Sequence, residues 1–156
     1  MFTKRHAFMK HILFTHSYFL RFDPKQWQIQ QPYAPLGTIQ ATSVVRNAGY
    51  HISLWDPMFA KDVSELKTAI RDLTPEVLVI YDDGFNYLTK MCLTNMREAA
   101  FEMIRMCTGE NIPVIVCSSD ATDHYQKYLE QGALAVIKGE GEQTLLQLLL
   151  QLDQNN

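Results

Sequence analysis

The stretch EVLVIYDDG, residues 76–84, decides the fold class of this chain. It is an apolar run rich in β-branched residues, and it ends at two acids and a glycine. A strand without polar alternation is buried on both faces, and such strands belong to parallel sheets that helices cover on either side. We therefore interpret 76–84 as a central strand of a parallel sheet.

Extended and helical segments alternate on both sides of this strand. By apolar runs and helical spacing, strands are predicted at 11–16, 51–56, 76–84, 112–120 and 133–139. Helices are predicted at 36–50, 62–73, 93–107, 121–132 and 142–152. Gly49 and Gly132 are expected to end two of these helices. Five strands alternating with five helices predict an α/β fold with a doubly wound five-stranded parallel sheet.

Composition and charge exclude several classes of protein. The 156 residues, 47% of them hydrophobic, suit one domain with a full core. The net charge of −3 argues against a nucleic-acid partner, and the one basic cluster, TKRHAFMKH at residues 3–11, is interpreted as a solvated tail. No apolar run reaches the ~18–20 residues that span a bilayer, and residues 1–10 are interpreted as an N-terminal tail, not a signal peptide.

The cysteine pattern argues against a metal centre built by this chain alone. The three cysteines, Cys92, Cys107 and Cys117, form neither a CxxC nor a CxxxCxxC motif. A zinc or iron–sulfur site needs such close spacing. An odd number of unpaired cysteines is typical of a reducing compartment, so we expect a cytoplasmic protein.

The candidate site residues follow the strands, because ligands of doubly wound sheets lie beyond the carboxyl ends of the strands near the point where strand order reverses. The candidates are Thr15, His16, Ser17 and Tyr18 after the first strand, Asp82, Asp83, Gly84 and Phe85 after the third, Ser118, Ser119 and Asp120 after the fourth, and Gly139, Glu140, Gly141 and Glu142 after the fifth.

The junction after the last strand is the most informative of these segments. Glu140 and Glu142 fall in a first helical turn, where the helix dipole favours carboxylates by ~0.3–1 kcal/mol each. That argument does not explain Gly139 and Gly141, since glycines destabilise a helix start unless the backbone bends or approaches a ligand. The combination predicts a ligand here.

Two known domain types with this order of elements fit poorly. A phosphoacceptor receiver domain finds counterparts in Asp82, Ser118 and Lys138, but it also needs an acidic pair after the first strand, where the sequence is THSY. A flavodoxin needs a small-residue phosphate loop at that point, and THSYFLRFDPKQW (15–27) contains no glycine. So long a loop is expected to cover something other than a single phosphate.

Hydrolytic chemistry is a further alternative. The run SSDATDH (118–124) contains triad residue types, but triad partners converge from separate segments. We expect Asp120 and Asp123 to cap the start of a helix instead. A small α/β enzyme that uses Asp82, Asp83 and His124 stays open, although no pairing of a base with a nucleophile is evident.

Two segments carry a resemblance to a known family. PYAPLGTIQATSVVRNAGYHISLWDP (32–57) and GALAVIKGEGEQTLLQLL (132–149) are similar to the opening and the ending of cobalamin-binding domains that precede radical S-adenosylmethionine (SAM) domains. Residues 87–103 and 118–133 resemble the intervening segments of a subgroup near the anaerobic magnesium-protoporphyrin IX monomethyl ester cyclase. The resemblance covers about residues 11–150.

The resemblance implies a Rossmann-like or flavodoxin-like domain, with strand order 2-1-3-4-5, that holds cobalamin over the strand ends. All the candidate residues above would then bind the cofactor, together with Pro35, Leu36 and Gly37 at the start of the first helix. Gly139 and Gly141 would let the backbone pass close to the nucleotide tail. The cobalt-ligating D-x-H-x-x-G motif of other cobalamin domains is absent, and His16 is the one candidate for a lower ligand.

The resemblance also implies a partner. Residues 11–152 would form the cobalamin-binding domain and 153–156 a C-terminal tail. A radical SAM catalytic domain with S-adenosylmethionine and a [4Fe–4S] cluster would follow in cis, in an enzyme of the methyltransferase or cyclase type. Without the CxxxCxxC motif, this chain is expected to bind the cofactor and not to be catalytic alone.

Overall fold

The computed structural model describes residues 10–82 and 93–154. Its strands are β1 (His11–Thr15), β2 (His51–Leu54), β3 (Val77–Tyr81), β4 (Val114–Cys117) and β5 (Ala135–Ile137). Its helices are α1 (Pro24–Ile29), α2 (Leu36–Asn47), α3 (Leu66–Leu73), α4 (Leu93–Gly109), α5 (Ser119–Glu130) and α6 (Glu142–Gln154). Each predicted strand and helix is present with shorter or shifted ends, and α1 is an additional helix.

All five strands pair in parallel in the order β2-β1-β3-β4-β5. The registers align the central strands closely, with Leu13 opposite Leu78 and Leu78 opposite Val114. The doubly wound sheet and its 2-1-3-4-5 order are therefore confirmed. The strand order reverses between β1 and β3. From β1 the chain crosses to β2 on one side of this point, and from β3 it crosses to β4 on the other side.

The core has two layers because the strands are apolar on both faces. On one face Leu13, Leu78 and Ile80 pack with residues of α3, α4 and α5. On the other face Phe14 and Val79 pack with residues of α2 and α6. This arrangement explains why the stretch around β3 shows no polar alternation, since neither face of the strand reaches water.

The two predicted helix stops are confirmed. Gly49 follows α2 with φ = 102° and Gly132 follows α5 with φ = 105°. Glycine adopts this left-handed conformation without the steric penalty that a Cβ imposes. A Cβ on Gly132 would in addition lie 2.9 Å from Thr108 Oγ1.

The connection after β1 contains structure that the sequence analysis did not predict. Leu20–Phe22 form a 3-10 turn, and α1 follows with Asp23 as its N-cap, whose side chain accepts a hydrogen bond from the Gln26 N–H. Pro24 occupies the first helical position, where its missing N–H costs nothing. Residues of this connection form a third apolar cluster with the loop after β2 and with α4; its members are Tyr18, Leu20, Met58 and Met96, with Trp27 and Tyr33 packed against them.

The predicted cap of α5 is wrong. Ser118, not Asp120 or Asp123, is the N-cap, and its Oγ accepts a hydrogen bond from the Ala121 N–H at 2.9 Å. Asp120 lies within the first turn and bonds elsewhere, as described below. At the start of α3, Asp62 caps the 3-10 turn Val63–Glu65 that leads into the helix.

Candidate functional site

A cleft of about 380 Å³ opens at the carboxyl ends of β3, β4 and β5. Its floor is formed by the last residues of two strands and the residue after one of them, namely Tyr81, Cys117 and Asp82. Its walls come from the starts of three helices and from the junction after β5; they are Gly37, Ser118, Ser119, Thr122, Gly139, Glu140 and Glu142. The cleft therefore joins predicted site residues from the loops after β3, β4 and β5.

The rim over β1 is filled by the protein itself. Thr15, His16, Ser17 and Tyr18 are all buried, each with 1% or less of its surface exposed. The Ser17 N–H donates to Asp82 Oδ1 at 2.6 Å, and the Ser17 hydroxyl donates to the same carboxylate at 2.9 Å. The place where strand order reverses is thus closed, and the open cleft lies to one side of it.

The Asp82 carboxyl group has an altered acidity. Burial raises its pKa above the ordinary value of 3.8, while the hydrogen bonds from Ser17 and the nearby His16 act in the opposite direction. The negative charge of Asp120 adds to the rise. The Asp82 carboxyl group therefore keeps its proton to a higher pH in the folded protein than an exposed aspartate does.

His16 is held at both ring nitrogens. Its Nε2 lies 2.9 Å from Asp56 Oδ1, and its Nδ1 accepts a hydrogen bond from the Tyr18 N–H at 3.2 Å. An acceptor role at Nδ1 puts the proton of a neutral ring on Nε2, where it is donated to Asp56. A metal ligand role would require one of these contacts to break.

The two glycines of the last junction have different surroundings. Gly139 has φ = 75°, nothing lies within 4 Å of a Cβ built there, and its N–H donates to Thr122 Oγ1 at 3.2 Å. A Cβ on Gly141 would overlap the Sγ of Cys117 and crowd the ring of Tyr81. Gly141 therefore meets a packing need of the fold, while Gly139 leaves open space beside the backbone at the cleft.

The floor of the cleft brings a hydroxyl, a thiol and a carboxylate together. Burial, the neighbouring Cys117 and the carboxylate of Glu142 all raise the pKa of Tyr81. Burial likewise raises the pKa of the Cys117 thiol to about 11. Both groups stay protonated at neutral pH, so the floor presents a neutral thiol and a phenol beside the Glu142 carboxylate of the wall.

The start of α2 closes the cleft on a third side. The Thr38 hydroxyl donates to the Tyr81 carbonyl at 2.6 Å, which fixes this helix to the end of β3. Pro35 stands at the N-cap position and Gly37 borders the cleft. Leu36 points outward, with 69% of its surface exposed.

Asp120 is engaged away from the cleft lining. Arg97 binds it with two nitrogens, Nε to Oδ2 at 2.7 Å and Nη2 to Oδ1 at 2.5 Å. The Tyr128 hydroxyl donates to Oδ2 at 2.8 Å. Burial opposes ionisation, but these bonds prevail and lower the pKa of Asp120. Its role in the structure is to join α4 to α5.

The lining residues and the predicted site residues overlap only in part. Tyr81, Cys117 and Thr122 line the cleft but were not predicted. The first two end their strands, a position that could have identified them, and Thr122 lies one turn into α5. Three predicted residues, Asp83, Gly84 and Phe85, lie outside the described residues.

Within residues 10–82 and 93–154, no group of three or more His, Cys, Asp or Glu side chains is placed to hold a metal ion. Over the same residues, no helix combines the length and the apolar character that a bilayer crossing needs.

Comparisons with known proteins identify the fold. No protein-family model matches the chain, and no curated protein sequence is significantly similar to it. Among solved structures, it is similar to a two-component response regulator of the LuxR family from Aurantimonas sp. SI85-9A1, with a TM-score of 0.55 and 13% identity over 95% of this chain and 87% of that one.

Two further similar structures are of cobalamin proteins. One is a novel cobalamin-binding protein from Desulfitobacterium hafniense DCB-2, with a TM-score of 0.60, 10% identity and coverage of 93% of this chain and 59% of that one. The other is the cobalamin-dependent S-adenosylmethionine radical enzyme OxsB with aqua-cobalamin and S-adenosylmethionine bound, with a TM-score of 0.67, 14% identity and coverage of 97% and 20%. The chain thus spans about three fifths and one fifth of these two proteins. At such identities the similarity shows a fold that cobalamin-binding proteins and response regulators share.

Proposed function

We propose that this chain is a cobalamin-binding module that holds the corrinoid at the carboxyl ends of its strands. The observation that carries the proposal is the open cleft of about 380 Å³ beside Gly139, at the edge where doubly wound sheets bind ligands. Two solved structures of this fold that are described as cobalamin proteins support it.

The cleft suits the nucleotide tail of the cofactor better than its ring. Its volume is at the lower end of the ~300–1,000 Å³ range of small-molecule pockets. The open space beside Gly139 lets a ligand approach the backbone, and α5 and α6 both begin at the cleft, where helix N-termini favour a phosphate group. When bound, the corrinoid would supply the cobalt chemistry, and the residues of this chain would hold and orient it.

The corrin ring would then lie on the rim outside the cleft. Large apolar side chains are exposed on α1, on α2, at the end of β2 and in the loop after it; they are Ile29, Leu36, Ile39, Leu54 and Phe59. Exposed apolar patches mark binding surfaces. We propose that the ring and a catalytic domain of the radical SAM type, joined in cis, cover this edge.

Gel filtration of the purified chain with hydroxocobalamin tests the proposal. We expect corrinoid absorbance to elute with the protein. Ser119→Trp, which places a bulky ring in the cleft at an exposed position, is expected to abolish coelution, whereas Gln147→Trp on the exposed face of α6 serves as the matched control. Elution of all the pigment at the free position for the unmodified chain would refute the proposal.

A receiver-like signalling or interaction domain is the second candidate, and the similarity to a response regulator favours it. The candidate phosphoacceptor Asp82 is, however, bonded by Ser17 through both carboxylate oxygens. Lys138 lies over the ring of Tyr125, with its Nζ 3.4 Å from the ring centroid. Labelling of Asp82 with acetyl phosphate would support this candidate against the first.

A further inference from the structure

Among the described residues, the ionisable side chains of the cleft lining are acidic or neutral. They include the carboxyl groups of Asp82, Glu140 and Glu142, and no lysine or arginine of residues 10–82 and 93–154 is among them. The nearest basic residue in the sequence of this junction, Lys138, lies on the face of Tyr125 instead. The side chains of the lining therefore attract groups that donate hydrogen bonds more than groups that only accept them.

Most of the hydroxyl groups in the lining serve the protein itself. Ser118 Oγ accepts the capping bond from the Ala121 N–H. Thr122 Oγ1 donates to the Ser118 carbonyl at 3.0 Å and accepts from the Gly139 N–H. Most of the hydrogen bonds of these hydroxyl groups are made within the protein, at the start of α5 and to the Gly139 N–H. These groups therefore shape the cleft more than they bind a ligand.

Glu142 differs from these hydroxyl groups. It is half-buried at the first position of α6, beside the Tyr81 hydroxyl on the floor of the cleft. An ionised carboxylate offers about four lone-pair positions, so contact with one hydroxyl leaves acceptor sites for a ligand. An apolar ligand surface over this carboxylate would remove its water without supplying a hydrogen bond in exchange, which is unfavourable.

These features discriminate between the bases that a corrinoid tail can carry. Dimethylbenzimidazole presents methyl groups and no N–H donor at its outer edge, whereas adenine presents an exocyclic amine and ring nitrogens that accept. We propose, on the basis of the proposed function, that the cleft prefers a corrinoid with an adenine-type lower base, whose exocyclic amine donates to Glu142 while Tyr81 positions that carboxylate. Sites that hydrogen-bond a ligand group reject analogues that lack it far more strongly than apolar sites do.

The test is a spectroscopic or calorimetric titration of the full chain with three corrinoids: adeninylcobamide, cobalamin, and cobinamide, which has no nucleotide. We expect adeninylcobamide to bind about tenfold more tightly than cobalamin, the size of effect that one charge-assisted hydrogen bond supplies. Glu142→Gln is expected to reduce this ratio to about threefold or less. Glu130→Gln, on an exposed carboxylate at the end of α5 and outside the cleft lining, is the matched control and is expected to keep the ratio.

The outcomes separate the two proposals. Equal or tighter binding of cobalamin, or cobinamide binding as tightly as adeninylcobamide, overturns the base preference and leaves the cobalamin-binding function standing. A Glu142→Gln variant that weakens all three corrinoids equally also overturns it, because Glu142 then acts on the ring portion and not on the base. Failure of all three corrinoids to bind removes the proposed function, and the base preference with it.

Discussion

Asp82 accepts hydrogen bonds from both polar groups of Ser17, with the Ser17 nitrogen 2.6 Å and its hydroxyl oxygen 2.9 Å from Asp82 Oδ1. These bonds tie the connection after β1 to the end of β3, at the point where strand order reverses. In doubly wound sheets this crevice is the usual ligand site. Here it is closed, and the cleft at β3, β4 and β5 takes its place.

Asp82 should make stability depend on pH. Because burial raises its pKa in the folded state above the unfolded value of about 3.8, the folded protein binds this proton more tightly. Its contribution is therefore fully present below pH 3.8 and is lost as pH rises through the folded-state pKa. Relative to the unmodified protein, Asp82→Asn should gain stability as the pH rises from 4 to 8, as measured by urea unfolding.

The comparison of variants isolates Asp82 from Asp120, whose pKa is lowered and which therefore loses its contribution in the opposite direction, as pH falls. Ser17→Ala removes one of the hydrogen bonds that favour the Asp82 carboxylate, so its stability should fall more steeply with rising pH. A difference between Asp82→Asn and the unmodified protein that is constant with pH would contradict this account.

His16 should not coordinate cobalt. Both of its ring nitrogens are engaged, by Asp56 and by the Tyr18 N–H. We expect the visible spectrum of the cobalamin complex to be the same in His16→Ala as in the unmodified protein. Loss of the buried contacts should lower the free energy of unfolding by about 1–3 kcal/mol. A changed cobalt spectrum at unchanged affinity would instead identify His16 as a ligand.

Gly141 should not tolerate a methyl group. Gly141→Ala would overlap the Cys117 Sγ, so we expect a loss of about 1–3 kcal/mol in the free energy of unfolding. Gly109→Ala is the control, since nothing lies within 4 Å of a Cβ at that position in α4. In the double variant with Cys117→Ala the space is restored, and most of the loss should be recovered; strictly additive losses would show that the overlap is not the cause.

Ser118 should stabilise α5 through its cap. Ser118→Ala removes the acceptor for the Ala121 N–H and is expected to cost about 0.5–2 kcal/mol in thermal or urea unfolding. Ser119→Ala, at the exposed neighbouring position, should change stability by no more than about 0.5 kcal/mol. Equal effects at both positions would argue against the cap.

The sequence by itself determined the sheet, its layers and two helix ends. The apolar run around β3, the helical spacing of α2 to α6, and the glycines Gly49 and Gly132 are local signals. A strand buried on both faces is predicted by a short apolar run, and a left-handed helix end is predicted by a single glycine. Both signals lie within a few neighbouring residues and do not depend on distant contacts. The short helix α1 also has a local signal, because Asp23 followed by Pro24 is typical of a helix start. The long segment around it was interpreted as a loop, so this helix was not predicted.

Only the tertiary structure decided which residues after the strands face an open cleft. His16 turns to Asp56, Ser17 to Asp82, and Asp120 to Arg97, so these predicted residues first serve the protein's own contacts. Glycine, likewise, borders open space at position 139 and meets a packing need at position 141. The outcomes at His16, Ser17, Asp120 and Gly141 each depend on a partner at least 23 residues away in the chain. Only packing brings such partners within the reach of a hydrogen bond or a van der Waals contact.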